Sequence, residues 1–248
     1  MGSVLYSGMK TLVFKPLVAG LFRGTMTGEE NIPDGPALLA SNHIGAGDPI
    51  ITSAFLHRPI TYSAKAELFT GHYPFRPIVA WFLRSINTVP VNRSGGRASR
   101  EVFAPVLDVL AHGGLVGIYP EGTRSPDGYL HKGKTGVARI ALAAGVPVVP
   151  MAMSSSETIR PIGIPWISRP RAVIGKPLDF SRFNGGDDDH EVLRWVTDEI
   201  MNEIMKISGQ QYVDVYGASV KSGAVSEEVV LTQVQPRPGG GPPPEYPG

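Results

Sequence analysis

The sequence predicts a single α/β domain with a mixed, largely parallel sheet flanked by helices. From about Thr25 onward, short apolar runs alternate with segments whose apolar residues recur at helical spacing. This alternation is typical of parallel sheets, because two parallel strands need a crossover that a helix usually supplies. A chain of 248 residues can also bury a sizeable core without disulfides. We place the domain at residues 25–209, after an amphipathic helix over residues 1–24 and before a poorly ordered tail over residues 210–248.

Two kinds of pattern predict the individual elements. Short apolar runs predict strands at Ala37–Ala40, Val89–Val91, Leu115–Tyr119, Val146–Met153 and Arg171–Ile174. Apolar residues three or four positions apart predict helices at Ile50–Leu56, Arg97–Ala111, Thr135–Ala144 and His190–Ser208. Three aspartates at 187–189 precede the last helix and favour its start, because carboxylates stabilise a helix N-terminus.

The first 24 residues combine an apolar helical face with the basic residues Lys10, Lys15 and Arg23. The face comprises Leu5, Met9, Leu12, Val13, Leu17 and Leu21. Such a helix either packs on the domain or lies in a membrane interface, for which an apolar face beside Lys and Arg is suited. We favour the interface. No run of about 18 apolar residues occurs, so we expect no helix that spans a membrane.

The end of the chain has the composition of a disordered segment. Residues 235–248 contain six Pro and four Gly among fourteen residues. Segments with so few apolar side chains cannot offset the entropy lost on folding. We therefore expect poor order after Gly209.

Composition excludes several chemistries and hides an asymmetry of charge. Cysteine is absent, which excludes disulfides, thiolate metal sites and a cysteine nucleophile. The formal net charge is only +1, but residues 1–176 hold 18 Lys and Arg against 10 Asp and Glu, while residues 177–248 hold 5 against 12. The larger part of the chain is therefore basic, with a net charge of +8, and suits anionic substrates and lipid head groups rather than nucleic acid.

The clearest chemical motif is a histidine and an aspartate on either side of a glycine-rich turn. Residues 40–49 read ASNHIGAGDP and follow a predicted strand directly. A helix would separate His43 from Asp48 by roughly 140°, but Gly45 and Gly47 let the backbone turn sharply and bring the two side chains together. Asp48 would then fix the imidazole tautomer and leave the other ring nitrogen to remove a proton. The alternative is structural: Asp48 caps the helix that begins at Pro49, and His43 is a polar strand-end residue.

Four blocks in this order give the sequence its resemblance to a known family. They are Asn42-His43 with Asp48-Pro49, Val89–Arg93, Tyr119–Ser125 and Val146–Pro150, supported by Ala64-Lys65 and Glu67-Leu68. Together they resemble the glycerolipid acyltransferases of the 1-acyl-sn-glycerol-3-phosphate (lysophosphatidic acid) acyltransferase type. Tyr119 stands where Phe is commoner in that family, and Gly45 where Ser is frequent.

The resemblance implies transfer of a fatty acyl group from acyl-CoA or acyl carrier protein to a hydroxyl of a lysophosphatidic acid or glycerol phosphate. It makes His43 the general base and Asp48 its orienting carboxylate. It implies a membrane-associated enzyme of phospholipid biosynthesis at the cytoplasmic face, with no metal and no cofactor beyond the acyl donor. The expected substrate-binding residues are Arg93, Arg124, Glu121, Gly122, Thr123 and Lys65.

Charge and apolar character indicate how the two arginines and a few further residues could contact the substrates. Arg93 and Arg124 both follow predicted strands, and an Arg can hold a phosphate with two parallel bonds. Lys132 and Lys134 could add contacts to phosphate or CoA. The apolar residues between Phe69 and Leu83 could hold an acyl chain or touch the bilayer, although core packing explains most of them equally well.

Two alternatives belong to other functional classes. Residues 128–135, GYLHKGKT, satisfy the phosphate-binding loop pattern of nucleotide hydrolases. That loop should spring directly from a buried strand, whereas residues 125–128 read as a turn. The second alternative is a lipid-binding relative without activity, which the presence of both His43 and Asp48 disfavours.

Overall fold

The part of the chain that the structure describes contains ten strands, of which the alternating pattern predicts only some. A computed structural model describes residues 2–70, 75–91, 100–155 and 169–246. Its strands are β1 (Thr25–Thr27), β2 (Ala37–Ser41), β3 (Ile60–Lys65), β4 (Thr88–Val91), β5 (Leu115–Ile118), β6 (Leu130–His131), β7 (Val148–Ser155), β8 (Pro170–Ile174), β9 (Tyr212–Val213) and β10 (Val234–Gln235). Five of them match the predicted apolar runs to within two residues at each end.

The helices are α1 (Gly2–Met9), α2 (Asp48–Phe55), α3 (Glu67–Thr70), α4 (Arg76–Ser85), α5 (Arg100–Ala111), α6 (Gly136–Ala144), α7 (His190–Ser208), α8 (Gly217–Lys221) and α9 (Glu227–Thr232). Short 3-10 turns lie at Glu29–Asn31 and Ser181–Phe183. The predicted bounds of α7 are confirmed at both ends. As its acidic start suggests, Asp189 caps it by accepting hydrogen bonds from the backbone N–H groups of Glu191 and Val192.

The main sheet has the order β1-β8-β7-β2-β5-β3-β4 and is parallel at every neighbouring pair except β7–β8. This confirms the predicted mixed, largely parallel α/β fold. A smaller sheet has the order β10-β9-β6. The predictions missed β3, whose sequence ITYSAK has polar residues at every second position. Its apolar residues Ile60 and Tyr62 are nevertheless buried.

Helices cover both faces of the main sheet, and successive residues of β2 point to opposite faces. Leu38 and Ala40 belong to a core formed with α5, α6 and α7. Ala37 and Leu39 belong to a second core formed with α2 and the N-terminal segment. All five residues of β2 are buried, so this central strand gives a rigid base to the loop that follows it.

The N-terminal segment forms one continuous helical stretch, with α1 followed by π-helical turns at Lys10–Phe14 and Pro16–Leu21. It packs beside α2 and α4. The residues it buries are Tyr6, Phe14 and Val18. Several residues of the predicted apolar face point away from the domain instead: Leu12 is 78% exposed, and Val13 and Leu17 are also exposed.

Residues 210–246 are folded onto the domain, which differs from the predicted poorly ordered tail. Tyr212 and Val213 are buried in β9, which pairs in parallel with β6 and antiparallel with β10. Even in the Pro- and Gly-rich end, Tyr246 packs against the core beside Phe183. The composition of the last fourteen residues misled because a few well-placed aromatic and aliphatic side chains suffice to anchor the segment.

Candidate active site

The motifs around His43 and Arg124, together with Lys65, lie at one edge of the main sheet, whereas Val146–Pro150 begins β7 at the other edge. His43 follows β2, Tyr119 to Arg124 follow β5, and Lys65 ends β3. These strands run parallel to one another, so their carboxyl ends meet at the same edge, where open α/β sheets bind ligands. Arg93 lies outside the described residues, and of Lys65 only the backbone is described.

His43 and Asp48 form a hydrogen-bonded pair, as the glycine-rich turn predicts. The Nδ1 atom of His43 lies 2.8 Å from Oδ2 of Asp48. The same oxygen accepts the backbone N–H groups of Ile44 and Gly45, each at 2.9 Å. Asp48 is fully buried, and these three donors stabilise its charge. Because Asp48 occupies Nδ1, Nε2 is the ring nitrogen left for a substrate.

The role of Asp48 in the helix differs from the predicted N-cap. Asp48 is itself the first residue of α2, and Gly47 precedes it without a side-chain cap. The carboxylate turns back onto the loop instead of onto the helix amides. Pro49 sits in the first turn of α2 as predicted. The turn therefore serves to orient His43 rather than only to begin a helix.

Tyr119 fixes the plane of the His43 ring. The two rings stack with centroids 4.0 Å apart and an interplanar angle of 16°. Burial, together with the neighbouring Tyr62 and Asp48, raises the pKa of Tyr119 well above its usual value, so its hydroxyl keeps its proton and Tyr119 does not compete as a base. Sequence reasoning did not select Tyr119 as a site residue, although its position at the end of β5, inside the third block, was a signal for it.

Glu121 holds the backbone around His43. Its Oε1 accepts the backbone N–H of His43 and its Oε2 that of His131, both at 3.1 Å. The residue is 1% exposed. Burial raises the pKa of Glu121 to about 7, while the two backbone hydrogen bonds act in the opposite direction. Each carboxylate oxygen therefore holds one backbone N–H, and Glu121 links the loop after β2 to β6.

A cavity of about 470 Å³ opens beside His43. Its walls include the predicted residues Gly122, Thr123 and Arg124, and Arg124 is exposed. The other lining residues are mainly apolar and come from β3, α3, α4, β4 and β5: among them Tyr62, Leu68, Leu83, Ile86 and Ile118. The cavity therefore combines the cationic side chain of Arg124 with mainly apolar walls.

Gly117 in β5 permits this shape. A Cβ atom added at Gly117 would lie 2.3 Å from the ring of Tyr62, and both residues line the cavity. Any side chain at this position would displace Tyr62 from its buried place.

Lys132 and Lys134 do not join Arg124 at this cavity. Lys132 pairs with Asp214 at 3.1 Å. Lys134 borders a second, mainly apolar cavity of about 270 Å³ that also includes Phe103 and Tyr119. The apolar residues that the structure describes between Phe69 and Leu83 have three different surroundings. Leu83 lines the first cavity, Phe69 and Ala80 are buried, and Phe75 and Trp81 are exposed.

The phosphate-binding loop pattern at residues 128–135 has a different structure here. The backbone N–H groups of Leu130, Lys132 and Lys134 donate to the carbonyl oxygens of Gln211, Val215 and Pro120. That of His131 donates to Glu121. A phosphate-binding loop needs such groups to face the ligand. Because protein acceptors occupy them, this segment offers no cradle for a phosphate.

Two further features concern membranes and metals. No helix in the part of the chain that the structure describes is both long and apolar enough to cross a membrane. Within the same residues, no three His, Asp or Glu side chains cluster as metal ligands would.

Known proteins resemble this chain over the segment that carries the site. A family model described as Acyltransferase matches residues 23–154. A chloroplastic 1-acyl-sn-glycerol-3-phosphate acyltransferase, LPAT1, of Arabidopsis thaliana is 31% identical over 65% of this chain and 45% of its own length. The 1-acyl-sn-glycerol-3-phosphate acyltransferase of Pseudomonas aeruginosa is 32% identical over 57% of this chain and 52% of its own. This chain thus spans about half the length of these curated relatives.

A solved structure gives the same result for the fold. The 1-acyl-sn-glycerophosphate acyltransferase PlsC of Thermotoga maritima superimposes with a TM-score of 0.57 at 25% identity, over 83% of this chain and 79% of that one. The family match covers more than half of the 248 residues and includes His43, Asp48 and Arg124. The chain belongs to the acyltransferase family.

Proposed function

We propose that the chain transfers a fatty acyl group from acyl-CoA or acyl carrier protein to a free hydroxyl of a lysophosphatidic acid or related glycerol phosphate. The observation that carries this proposal is the His43–Asp48 pair at a cavity that combines Arg124 with mainly apolar walls. The relatives named as 1-acyl-sn-glycerol-3-phosphate acyltransferases support the same substrate class.

In the proposed reaction, Nε2 of His43 takes the proton of the acceptor hydroxyl as its oxygen attacks the thioester carbonyl carbon. The C–O bond forms, the tetrahedral intermediate collapses, and the C–S bond breaks. The leaving thiolate takes the proton from the imidazolium, which restores the neutral ring. Asp48 orients His43 and stabilises the positive charge that develops on it. No covalent acyl-enzyme is needed.

The part of the cavity wall around Arg124 is the proposed site for the acceptor phosphate. Arg124 is exposed there, beside Gly122 and Thr123. A guanidinium can bind two phosphate oxygens at once. We propose that Arg93, which also follows a strand in the sequence, adds a second contact. The apolar remainder of the cavity suits the acyl chain.

An assay of the full chain with acyl-CoA and lysophosphatidic acid tests the proposal. We expect free thiol and phosphatidic acid to appear together, and only when the acceptor is present. His43→Ala should lower the turnover by about 10²–10⁴-fold, the usual contribution of a general base. His112→Ala is a matched control, since His112 also lies beside an aspartate, Asp108, but is 78% exposed in its side chain. Lipid binding by the wild type without thiol release would favour the non-enzymatic alternative.

Association with a membrane surface is the second part of the proposal. The exposed residues Leu12, Val13 and Leu17 of the N-terminal helical stretch lie on a segment that packs beside α4, where Phe75 and Trp81 are exposed as well. A helical surface with apolar side chains and nearby Lys10 and Lys15 suits a lipid interface. We propose the cytoplasmic face, because a lysophosphatidic acid acceptor is reached there together with acyl-CoA.

Flotation with vesicles that contain anionic lipid tests this second part. We expect the double change of Leu12 and Leu17 to Ser to weaken binding roughly tenfold, since each Leu loses favourable burial in the interface. The matched control changes Val229 and Leu231, two exposed apolar residues of α9, to Ser and should leave binding unchanged. Equal binding of both double variants would contradict docking through the N-terminal segment.

A further inference from the structure

Gln210 connects the C-terminal part of the chain to the strand that carries His43. It follows α7 and lies far outside the segment that matches the acyltransferase family. Its side-chain Oε1 accepts a hydrogen bond of 2.7 Å from Nδ2 of Asn42. Its Nε2 donates one of 2.7 Å to the carbonyl oxygen of Gly128. One amide side chain thus bridges two loops that are distant in sequence.

Asn42 is the residue directly before His43, and it is 1% exposed. Its side chain grips β7 through both backbone groups of Met153, with Oδ1 accepting the N–H at 2.7 Å and Nδ2 donating to the carbonyl at 2.9 Å. Gln210 takes the remaining hydrogen of Nδ2. The side chain of Asn42 is therefore held from two sides, and this fixes the point from which the catalytic loop departs.

A second route leads from the same C-terminal stretch to His43. The carbonyl oxygens of Gln211 and Val215 accept the backbone N–H groups of Leu130 and Lys132 on either side of His131. The N–H of His131 in turn donates to Glu121, whose other oxygen accepts the N–H of His43. We call residues 210–215 the strap, because they hold the strand behind His43 and the loop beside it.

We propose that Gln210 is a positioning residue for the transfer reaction: through Asn42 it sets the place of His43 relative to the cavity. This inference rests on the proposed function. A base that is misplaced by a fraction of an ångström loses rate without losing substrate affinity, because binding uses other walls of the cavity while proton transfer depends on the geometry at Nε2. Gln210 is not among the residues that line the cavity beside His43.

The experiment compares three substitutions in the full chain by steady-state kinetics with acyl-CoA and lysophosphatidic acid. Gln210→Ala removes both hydrogen bonds, whereas Gln210→Glu keeps an acceptor for Asn42 and loses the donor to Gly128. Gln233→Ala is the control, since Gln233 belongs to the same C-terminal part but its side-chain amide donates to the neighbouring Thr232 and not to the loops around His43. We expect Gln210→Ala to lower kcat by roughly tenfold, which corresponds to about 1.4 kcal/mol, with KM for both substrates within about twofold.

The Glu substitution separates positioning from simple stability. A role through the Gly128 contact alone predicts at least the same loss of kcat in Gln210→Glu as in Gln210→Ala, because Glu also sets a carboxylate oxygen against the Gly128 carbonyl. Positioning through Asn42 predicts that Gln210→Glu retains kcat within roughly threefold of the wild type. If Gln210→Ala does not fold, Gln210→Met takes its place, since it fills the same space without either hydrogen bond.

The outcomes for the two proposals are distinct. An inactive wild type would contradict the proposed function, while an active wild type with equal kcat in Gln210→Ala and Gln233→Ala would overturn the role of Gln210. A rise in KM at constant kcat would overturn it as well, because it would place Gln210 in substrate binding.

Discussion

Two histidine–aspartate pairs lie close to one another in this molecule, and they differ in whether a ring nitrogen of the histidine is left without a protein partner. In the first, Asp48 holds one ring nitrogen of His43, whose side chain is 18% exposed at a cavity. In the second, Nε2 of His131 lies 2.8 Å from Asp127 and Nδ1 lies 3.2 Å from the carbonyl of Val215. The side chain of His131 is 0% exposed. Only the first pair leaves a ring nitrogen for a substrate.

The comparison teaches that spacing and residue type do not separate a base from a structural pair. Both ring nitrogens of His131 face acceptors, the carboxylate of Asp127 and the carbonyl of Val215, so neither is left for a substrate. Such a ring serves to join the strap to β6. His43 instead has a single acceptor, a stacked aromatic ring and an open side, which is the arrangement a general base requires.

The largest expected effect comes from Asp48→Asn. Asparagine keeps an oxygen for the Nδ1 donor but removes the charge that stabilises an imidazolium. By analogy with the acid of a serine-protease triad, we expect kcat to fall by about 10³–10⁴-fold, with little change in KM. Steady-state kinetics measure this. A loss below about tenfold would remove Asp48 from the reaction and make the two pairs alike.

Glu121 stands between the two pairs, and its burial makes stability depend on pH. Its pKa is raised from 4.5 to about 7, so between these values the native state binds more protons than the unfolded state. The free energy of unfolding should therefore fall as pH rises from about 4.5 to 7 and then level off, with about 3 kcal/mol as the size of this contribution.

Denaturant unfolding of the wild type and Glu121→Gln at several pH values measures the effect. The neutral variant lacks the titration, so the difference between the two proteins should shift in favour of the variant as pH rises. If the difference in free energy of unfolding stays constant across this range, Glu121 does not have a raised pKa. Ionisation of its carboxyl group would then not destabilise the native state.

The smallest expected effect is that of Asp127→Asn, which makes in the second pair the same change as Asp48→Asn in the first. The side-chain oxygen of the new Asn can still bind the three groups that now contact Asp127. These are the ring of His131, the hydroxyl of Ser125 and the backbone N–H of Tyr129. We expect a loss of about 1 kcal/mol in the free energy of unfolding, since a charge-assisted bond becomes a neutral one. The kcat should stay within roughly threefold; a fall comparable to that of Asp48→Asn would contradict the distinction between the pairs.

Sequence reasoning reached the fold class and the first pair because both depend on local patterns. Apolar runs marked β2, β5 and β7, and two glycines marked the turn that joins His43 to Asp48. The sequence shows a helical period near Leu12, but it does not show which face of the N-terminal helix packs on the domain. That depends on the shape of the domain surface against which the helix lies.

What escaped prediction depends on contacts between distant residues. Glu121 shows no sign in sequence of being enclosed by two backbone N–H groups. Asn42 and Gln210 are 168 positions apart, and no periodicity relates them. The end of the helix before the strap was predicted correctly, whereas the strand within the strap was missed. Two residues, Tyr212–Val213, are too few to show the pattern of a strand in the sequence.

The amide of Asn42 has one more consequence. Its oxygen and nitrogen pair with the N–H and carbonyl of Met153, much as the peptide group of a neighbouring strand would. The side chain thus continues the sheet for one residue after the main chain of β2 has ended at Ser41. The backbone can therefore turn away towards His43 while the N–H and carbonyl of Met153 keep hydrogen-bond partners. Aspartate matches asparagine in size, but its carboxylate offers acceptors and no donor, so it could not make both of these hydrogen bonds.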